Sequence, residues 1–239
     1  MKKGIALLEL IFSIVIIAIA LMSVPNLMQS TSKASNKVIM QESISNAASY
    51  ANMIMSAFWD ENCTNPKYEN PILYVQKQDS SLQEYRKNDI LMGRRVGSSM
   101  STSRRFRNDI TGKRLTASTI LAKEDDDGEP DDIDDYNNRS VMLVKRVDTS
   151  IQEGDYKDVS IKLDTTVNYI SDNADDGYDK QTVTFNNPFD PNKIENLQST
   201  NIKMITLRLI SQSDPNKKIV LKAFSCNIGS SQLQERLFN

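Results

Sequence analysis

Hydrophobic and polar positions divide this chain into three unlike stretches. From Ile5 to Pro25 the residues are almost uniformly apolar, IALLELIFSIVIIAIALMSVP, and Glu9 is the one charge among them. About twenty apolar residues at ~1.5 Å each match the ~30 Å hydrocarbon core of a bilayer, and a helix satisfies its own backbone there. From Asn26 to about Glu61 the spacing is helical. Leu27, Thr31, Ala34, Val38, Gln41, Ser45, Ala48, Asn52 and Met55 form one row. Met40, Ile44, Ala47, Ala51, Ile54 and Phe58 form a second, more apolar one. The pattern predicts that the helix continues out of the apolar run, exposed over Asn26–Lys37 and packed into a head over Ile44–Trp59. Asp60-Glu61-Asn62 and Thr64-Asn65-Pro66 end it.

Beyond residue 62 the period changes to two. Val159, Ile161, Leu163, Thr165, Val167 and Tyr169 alternate with polar residues, the pattern of a half-buried strand. Ile72–Val75, Val141–Val147, Thr182–Phe185, Ile202–Ile210 and Ile219–Ile228 read as further strands, the last two joined by the turn Ser213–Asn216. Gln76–Asn88 is polar and carries no clear pattern, and Asn186–Thr200 reads as a loop. The predicted fold is α+β: a long N-terminal helix, membrane-spanning in its first half, packed on an antiparallel sheet of about four to six strands. No internal repeat and no second domain are visible.

Composition narrows the chemistry. The 239 residues carry a formal net charge of −2, which does not suggest a general nucleic-acid binder, and they include no histidine. A Ser-His-Asp triad and a His-based zinc site are therefore excluded. Glycine is scarce and no phosphate-cradling motif occurs, so catalysis would rest on carboxylates, lysine or tyrosine. The sequence favours a non-enzymatic role; a carboxylate-based secreted hydrolase is the residual enzymatic alternative.

Glu9 is the anomaly of the apolar run, because an ionised carboxylate inside a membrane helix costs several kcal/mol and finds a partner. It could sit shallowly near Lys2 and Lys3, whose charge favours a cytoplasmic N-terminus. A plain membrane anchor and a secretory signal peptide are the general readings, although a carboxylate is unusual in the apolar region of a signal peptide. The local order is more specific: Lys2-Lys3-Gly4, then Ile5-Ala6-Leu7-Leu8-Glu9, then the apolar run. It resembles the prepilin-type signal of type IV pilins and pseudopilins. The resemblance implies cleavage by a prepilin peptidase after Gly4, N-methylation of Ile5, and pairing of Glu9 with the N-terminal amine of a neighbouring subunit.

That resemblance is strong over Lys2–Pro25 and weak beyond. Many pilins carry a proline one residue further along than Pro25. Asp132-Ile133-Asp134-Asp135-Tyr136-Asn137 also resembles a segment of minor pilins of the mannose-sensitive haemagglutinin pilus type. The implied organisation is a leader over 1–4, a transmembrane or filament-core helix over 5–25, a helical extension over 26–61 and a periplasmic or extracellular head over 62–239. The implied role is a structural subunit of a type IV pilus or type II secretion-like filament. Its partners would be other pilin or pseudopilin subunits, the prepilin peptidase and the inner membrane. A membrane-anchored periplasmic ligand-binding domain is the alternative.

Three further features invite a function. Cys63 and Cys226 both fall in the part expected outside, where a disulfide could tie the helix end to the last strand; two buried free thiols are the alternative. The acidic run Glu124–Asp135 approximates a calcium loop, with Asp125, Asp127, Asp131 and Asp134 as ligands and Gly128 in the turn, although the full EF-hand pattern is absent. Asp172, Asp176 and Asp179 around Gly177 form a weaker second candidate, so calcium is the one candidate cofactor. A solvated charge run, or a partner for the basic stretch Arg86–Arg114, is the competing reading. That basic stretch, with a mobile loop expected over Ser98–Ser103, suggests either DNA contact or a solvated segment.

Overall fold

The computed structural model describes residues 2–65, 70–121, 130–144, 161–178, 180–184, 187, 190, 192, 194–195, 198–211 and 218–231. Helix side chains are described from Leu8, residue 36 excepted. The architecture is α+β: one long N-terminal helix, α1 (Lys2–Ser56), and two antiparallel sheets. At ~1.5 Å per residue α1 is about 80 Å long. No glycine interrupts the chain between Gly4 and Gly93. Pro25 lies inside the helix and removes the hydrogen bond its N–H would have given to Leu21. Hydroxyls back-bond nearby: Ser23 Oγ donates to the Ala20 carbonyl at 2.7 Å and Thr31 Oγ1 to the Leu27 carbonyl at 2.9 Å.

The helix ends at Ser56, sooner than the expected Glu61. The chain turns because its next residues have partners elsewhere. Phe58 donates its N–H to the Asp131 carbonyl and accepts from Ile133, at 3.2 and 2.9 Å. Trp59 and Asp60 then turn into the core. A 3-10 turn, Glu61–Cys63, follows, with the Asp60 carboxylate accepting the Asn62 N–H.

The main sheet holds β3 (Ser140–Val144), β4 (Ile161–Ile170), β6 (Ile202–Ser211) and β7 (Lys218–Cys226) in that order, and the two-residue β5 (Ile194–Glu195) pairs the end of β4. Register builds the inner face in rows across β4, β6 and β7. These are Leu163–Leu209–Ile219, Thr165–Leu207–Leu221, Val167–Ile205–Ala223 and Tyr169–Lys203–Ser225. Against this face lies one side of α1, with Ser43, Ala47 and Ile54 buried and Ile39, Met40, Tyr50 and Ala51 partly so. This matches the apolar row read from the sequence, except that Phe58 has left the helix and is 41% exposed. Each fully buried Ile or Leu contributes about 1.5–3 kcal/mol relative to exposure.

A second, two-stranded sheet pairs β1 (Glu84–Lys87) with β2 (Ile90–Arg95). Its turn, Asn88-Asp89, has φ of 49° and 63°, the two positive values that a tight hairpin turn demands and that Asn and Asp tolerate. The polar stretch without a clear pattern thus becomes a 3-10 turn, Ser80–Leu82, and the first strand of a hairpin.

Other expectations need correction. Ile72–Val75 makes isolated bridges, Ile72 to Phe106 and Tyr74 to Thr116, rather than a strand. Thr182–Thr184 is not a strand, and Phe185 lies outside the described residues. The expected loop 186–200 contains β5. Val159, the end of Val141–Val147 and the turn Ser213–Asn216 lie outside the described residues.

Candidate membrane and assembly segment

The feature that most resembles a functional site is the free half of α1. From Leu8 to Met28 every residue is exposed, and the large apolar side chains among them each keep about half or more of their surface. In water such a surface would be unstable, since soluble monomers rarely expose apolar patches beyond a few hundred Å². The helix is long and apolar enough to cross a membrane. Helical geometry alone accounts for its continuity, because α1 runs unbroken from this half into the half packed on the sheet.

Glu9 projects from the apolar half. Its carbonyl accepts from Ser13 Oγ at 2.9 Å, and its carboxylate has no ion-pair partner among the described residues. The backbone of Gly4 and Ile5 belongs to α1.

The predicted disulfide is not formed: Cys63 and Cys226 are both free thiols. Cys63 is buried in the turn after the helix, its S–H aimed at the Pro71 carbonyl at 3.7 Å. Burial and the Asp60 carboxylate beside it push its pKa up to about 12. Burial likewise raises that of Cys226. Alkylation without reductant should therefore label both cysteines in the unfolded protein. In the folded protein Cys63 should react at least about tenfold more slowly than an ordinary thiol, because thiolate is the nucleophile. An unfolded species that shows no free thiol until it is reduced would contradict this.

The calcium candidates are also redistributed. Asp125, Asp127, Gly128 and Asp179 lie outside the described residues. Asp134 is claimed by Lys203, whose Nζ is 2.7 Å from Oδ1 and 2.8 Å from Oδ2. Asp131 donates its N–H to Asp135 Oδ2 at 3.1 Å, and Asp132 Oδ1 accepts the N–H groups of Asp134 and Asp135 at 2.7 and 3.1 Å. These carboxylates close a turn, Asp134–Tyr136, rather than converge on a cation. In the second candidate Asp172 accepts from Asn201 Nδ2 at 2.5 Å and Asp176 from Thr184 Oγ1 at 3.0 Å. Among the described residues no group of three or more His, Cys, Asp or Glu side chains is arranged to hold a metal.

Ser98–Ser103 is a loop without regular secondary structure, as expected, and the basic residues on either side of it are tied to the body of the head. Arg105 holds the carbonyls of Thr102, Met92 and Met100 at 3.1, 3.0 and 3.3 Å. Arg95 reaches Asn201 Oδ1 and the Asn227 carbonyl at 3.0 and 2.9 Å.

The sequence reading missed the charge cluster at the helix–sheet junction. Lys203 is fully buried, and its Nζ contacts the Trp59 carbonyl at 2.6 Å, Asp60 Oδ2 at 3.2 Å and Asp134. The same ammonium lies 4.2 Å from the Trp59 ring centroid. The legible signal was the phase of Lys203: it lies on the same face of its strand as Ile205, Leu207 and Leu209. Asp132, the third carboxylate here, makes no ion pair among the described residues. Burial raises the pKa of Asp132 to about 7 and that of Asp134 to about 8, with Lys203 opposing both. Both carboxyls therefore hold their protons to higher pH than ordinary carboxylates, as members of one coupled group.

No protein-family model, no curated protein and no solved structure matches the chain.

Proposed function

We propose that the chain is a structural subunit of a type IV pilin-like filament, a minor pilin or pseudopilin. Its apolar helix holds it in the inner membrane, with the head outside, until assembly. The observation that carries this reading is the division of one unbroken helix: its N-terminal half exposes a continuous apolar surface while its C-terminal half is built into the head. The order Lys2-Lys3-Gly4-Ile5 with Glu9 supports processing after Gly4.

Assembly then follows from physical chemistry. Moving the apolar half from lipid into a bundle of like helices replaces one apolar environment by another, so extraction carries little hydrophobic cost. Glu9, which has no ion-pair partner among the described residues, gains a cation, the N-terminal amine of a neighbour freed by cleavage. The junction around Lys203 fixes the helix to the sheet, so displacement of the helix carries the head with it.

Glu9→Ala distinguishes this role from simple anchoring. Membrane insertion should be unchanged or improved, since a carboxylate leaves the apolar run. Recovery of the variant in sheared filaments should fall about tenfold, equivalent to ~1.4 kcal/mol of lost pairing. Wild-type recovery would refute the role of Glu9.

A further inference from the structure

Two hairpins stand side by side on the head. The first is β1–β2. The second runs from Arg105 to Ala117, closed by an Asn108–Arg114 bridge and an Asp109 N–H bond to the Lys113 carbonyl at 2.7 Å. Both are rooted in the body. Arg95 at the base of the first binds Asn201 and Asn227, while Leu115 and Ala117 at the base of the second are buried. They touch where the Phe106 N–H meets the Gly93 carbonyl at 2.8 Å, and Leu91 and Asn108 line one shared cavity of about 370 Å³. Their turns, at Asn88-Asp89 and at 109–112, therefore lie together at the outer end.

That end pairs aliphatic tips with cations. Ile90 is 66% exposed and Ile110 is 73% exposed. Arg86, Lys87, Arg107, Lys113 and Arg114 belong to the same two hairpins, against Asp109 and Asp89, the latter 4.0 Å from Arg86, in a chain whose formal net charge is −2. The Asp109 carboxylate is turned onto its own hairpin, accepting from the N–H groups of Thr111 and Lys113, each at 2.8 Å.

We propose that the outer ends of the two hairpins dock on an anionic phospholipid surface. Local positive charge meets the lipid phosphates, and the two isoleucines enter the acyl boundary. The chemistry of the patch favours lipid over nucleic acid. Bases stack on open aromatic faces. Here the Tyr85 ring is covered by the Arg94 guanidinium at 4.1 Å, the Tyr74 ring by Arg114 at 4.7 Å, and Phe106 is buried. The large apolar side chains left uncovered at the tips, Ile90 and Ile110, are aliphatic. The inference is independent of the filament reading and concerns a membrane other than the one α1 would span.

The test uses the full chain reconstituted through α1 in phosphatidylcholine vesicles, with tethering of a second vesicle population read by light scattering and co-flotation. Vesicles of equal phosphatidylcholine and phosphatidylglycerol should be tethered, and pure phosphatidylcholine vesicles should not. The double variant Ile90→Ser, Ile110→Ser should weaken tethering about tenfold, since two side chains lose their hydrocarbon contact. Arg86→Glu with Lys113→Glu should abolish it. All these positions are exposed, so an unchanged far-UV circular dichroism spectrum and melting temperature should accompany the loss. Equal tethering of both vesicle types overturns the proposal, as does an unaffected isoleucine variant. Tethering that an oligonucleotide abolishes, with no dependence on Ile90 and Ile110, would assign the patch to nucleic acid instead.

Discussion

Replacing Lys203 by methionine is expected to lower the stability of the head by about 3–5 kcal/mol at neutral pH, the cost of stranding buried carboxylates. The ammonium is fully buried and is the only cation in contact with Asp60 and Asp134 among the described residues. A domain of this kind has a total stability of about 5–15 kcal/mol, so the loss is a large fraction of it. The penalty should depend on pH. The folded-state pKa values of Asp132 and Asp134 lie above the ordinary carboxylate value of 3.8. Their contribution is therefore fully present below 3.8 and is lost as pH rises through about 7 and 8. In the methionine variant the carboxylates must be neutral to remain buried. The difference between variant and wild type should shrink toward pH 4 and widen toward pH 8. Urea unfolding of the detergent-solubilised chain, followed through its single tryptophan, measures both. A pH-independent loss, or one below about 1 kcal/mol, would mean that the cluster is solvated rather than buried.

Trp59→Ala should be comparably severe, at about 3–5 kcal/mol. Trp59 sits where the chain leaves the helix and enters the sheet. Its ring centroid is 6.1 Å from that of Tyr169 and carries Lys203 Nζ on its face, and its Nε1–H donates to the Ser225 carbonyl at 3.3 Å. Truncation leaves a cavity beside a buried ammonium and opens a path for water to it. Trp59 and Lys203 are in direct contact, so their effects should not add. The double variant should fall short of the sum by about 0.5–3 kcal/mol. Far-UV circular dichroism provides the readout, since the fluorophore is gone. Strict additivity would show that the two side chains stabilise the junction separately.

Much of this architecture was legible because periodicity depends only on local geometry. The apolar run, its helical continuation and the face bearing Ala47 and Ile54 follow from spacing alone. So does β4, whose alternation Ile161–Leu163–Thr165–Val167–Tyr169 is the burial pattern observed. What escaped was set by long-range pairing. Phe58 reads as the next helical core position, yet it leaves the helix for a backbone bridge to Asp132, more than seventy residues away. The phase of Lys203 points it inward, but its partners Asp60 and Asp134 come from distant parts of the chain that spacing does not bring together. Asp134 reads as a metal ligand until the sheet supplies an ammonium at 2.7 Å. The cysteines read as a bridge because composition permits one, but a bridge requires a specific geometry of both side chains, which sequence does not carry. The Gly4–Glu9 motif belongs to a different class, since its chemistry concerns processing and neighbours beyond this chain.

Whether the chain is a filament subunit is therefore decided at its N-terminus. Mass spectrometry of the protein recovered from its native membrane should find a chain that begins at Ile5, lacks Met1–Gly4 and carries one added methyl group. An intact N-terminus, or a cut beyond Ala20, would contradict the filament-subunit reading and leave α1 as an anchor or a removable signal.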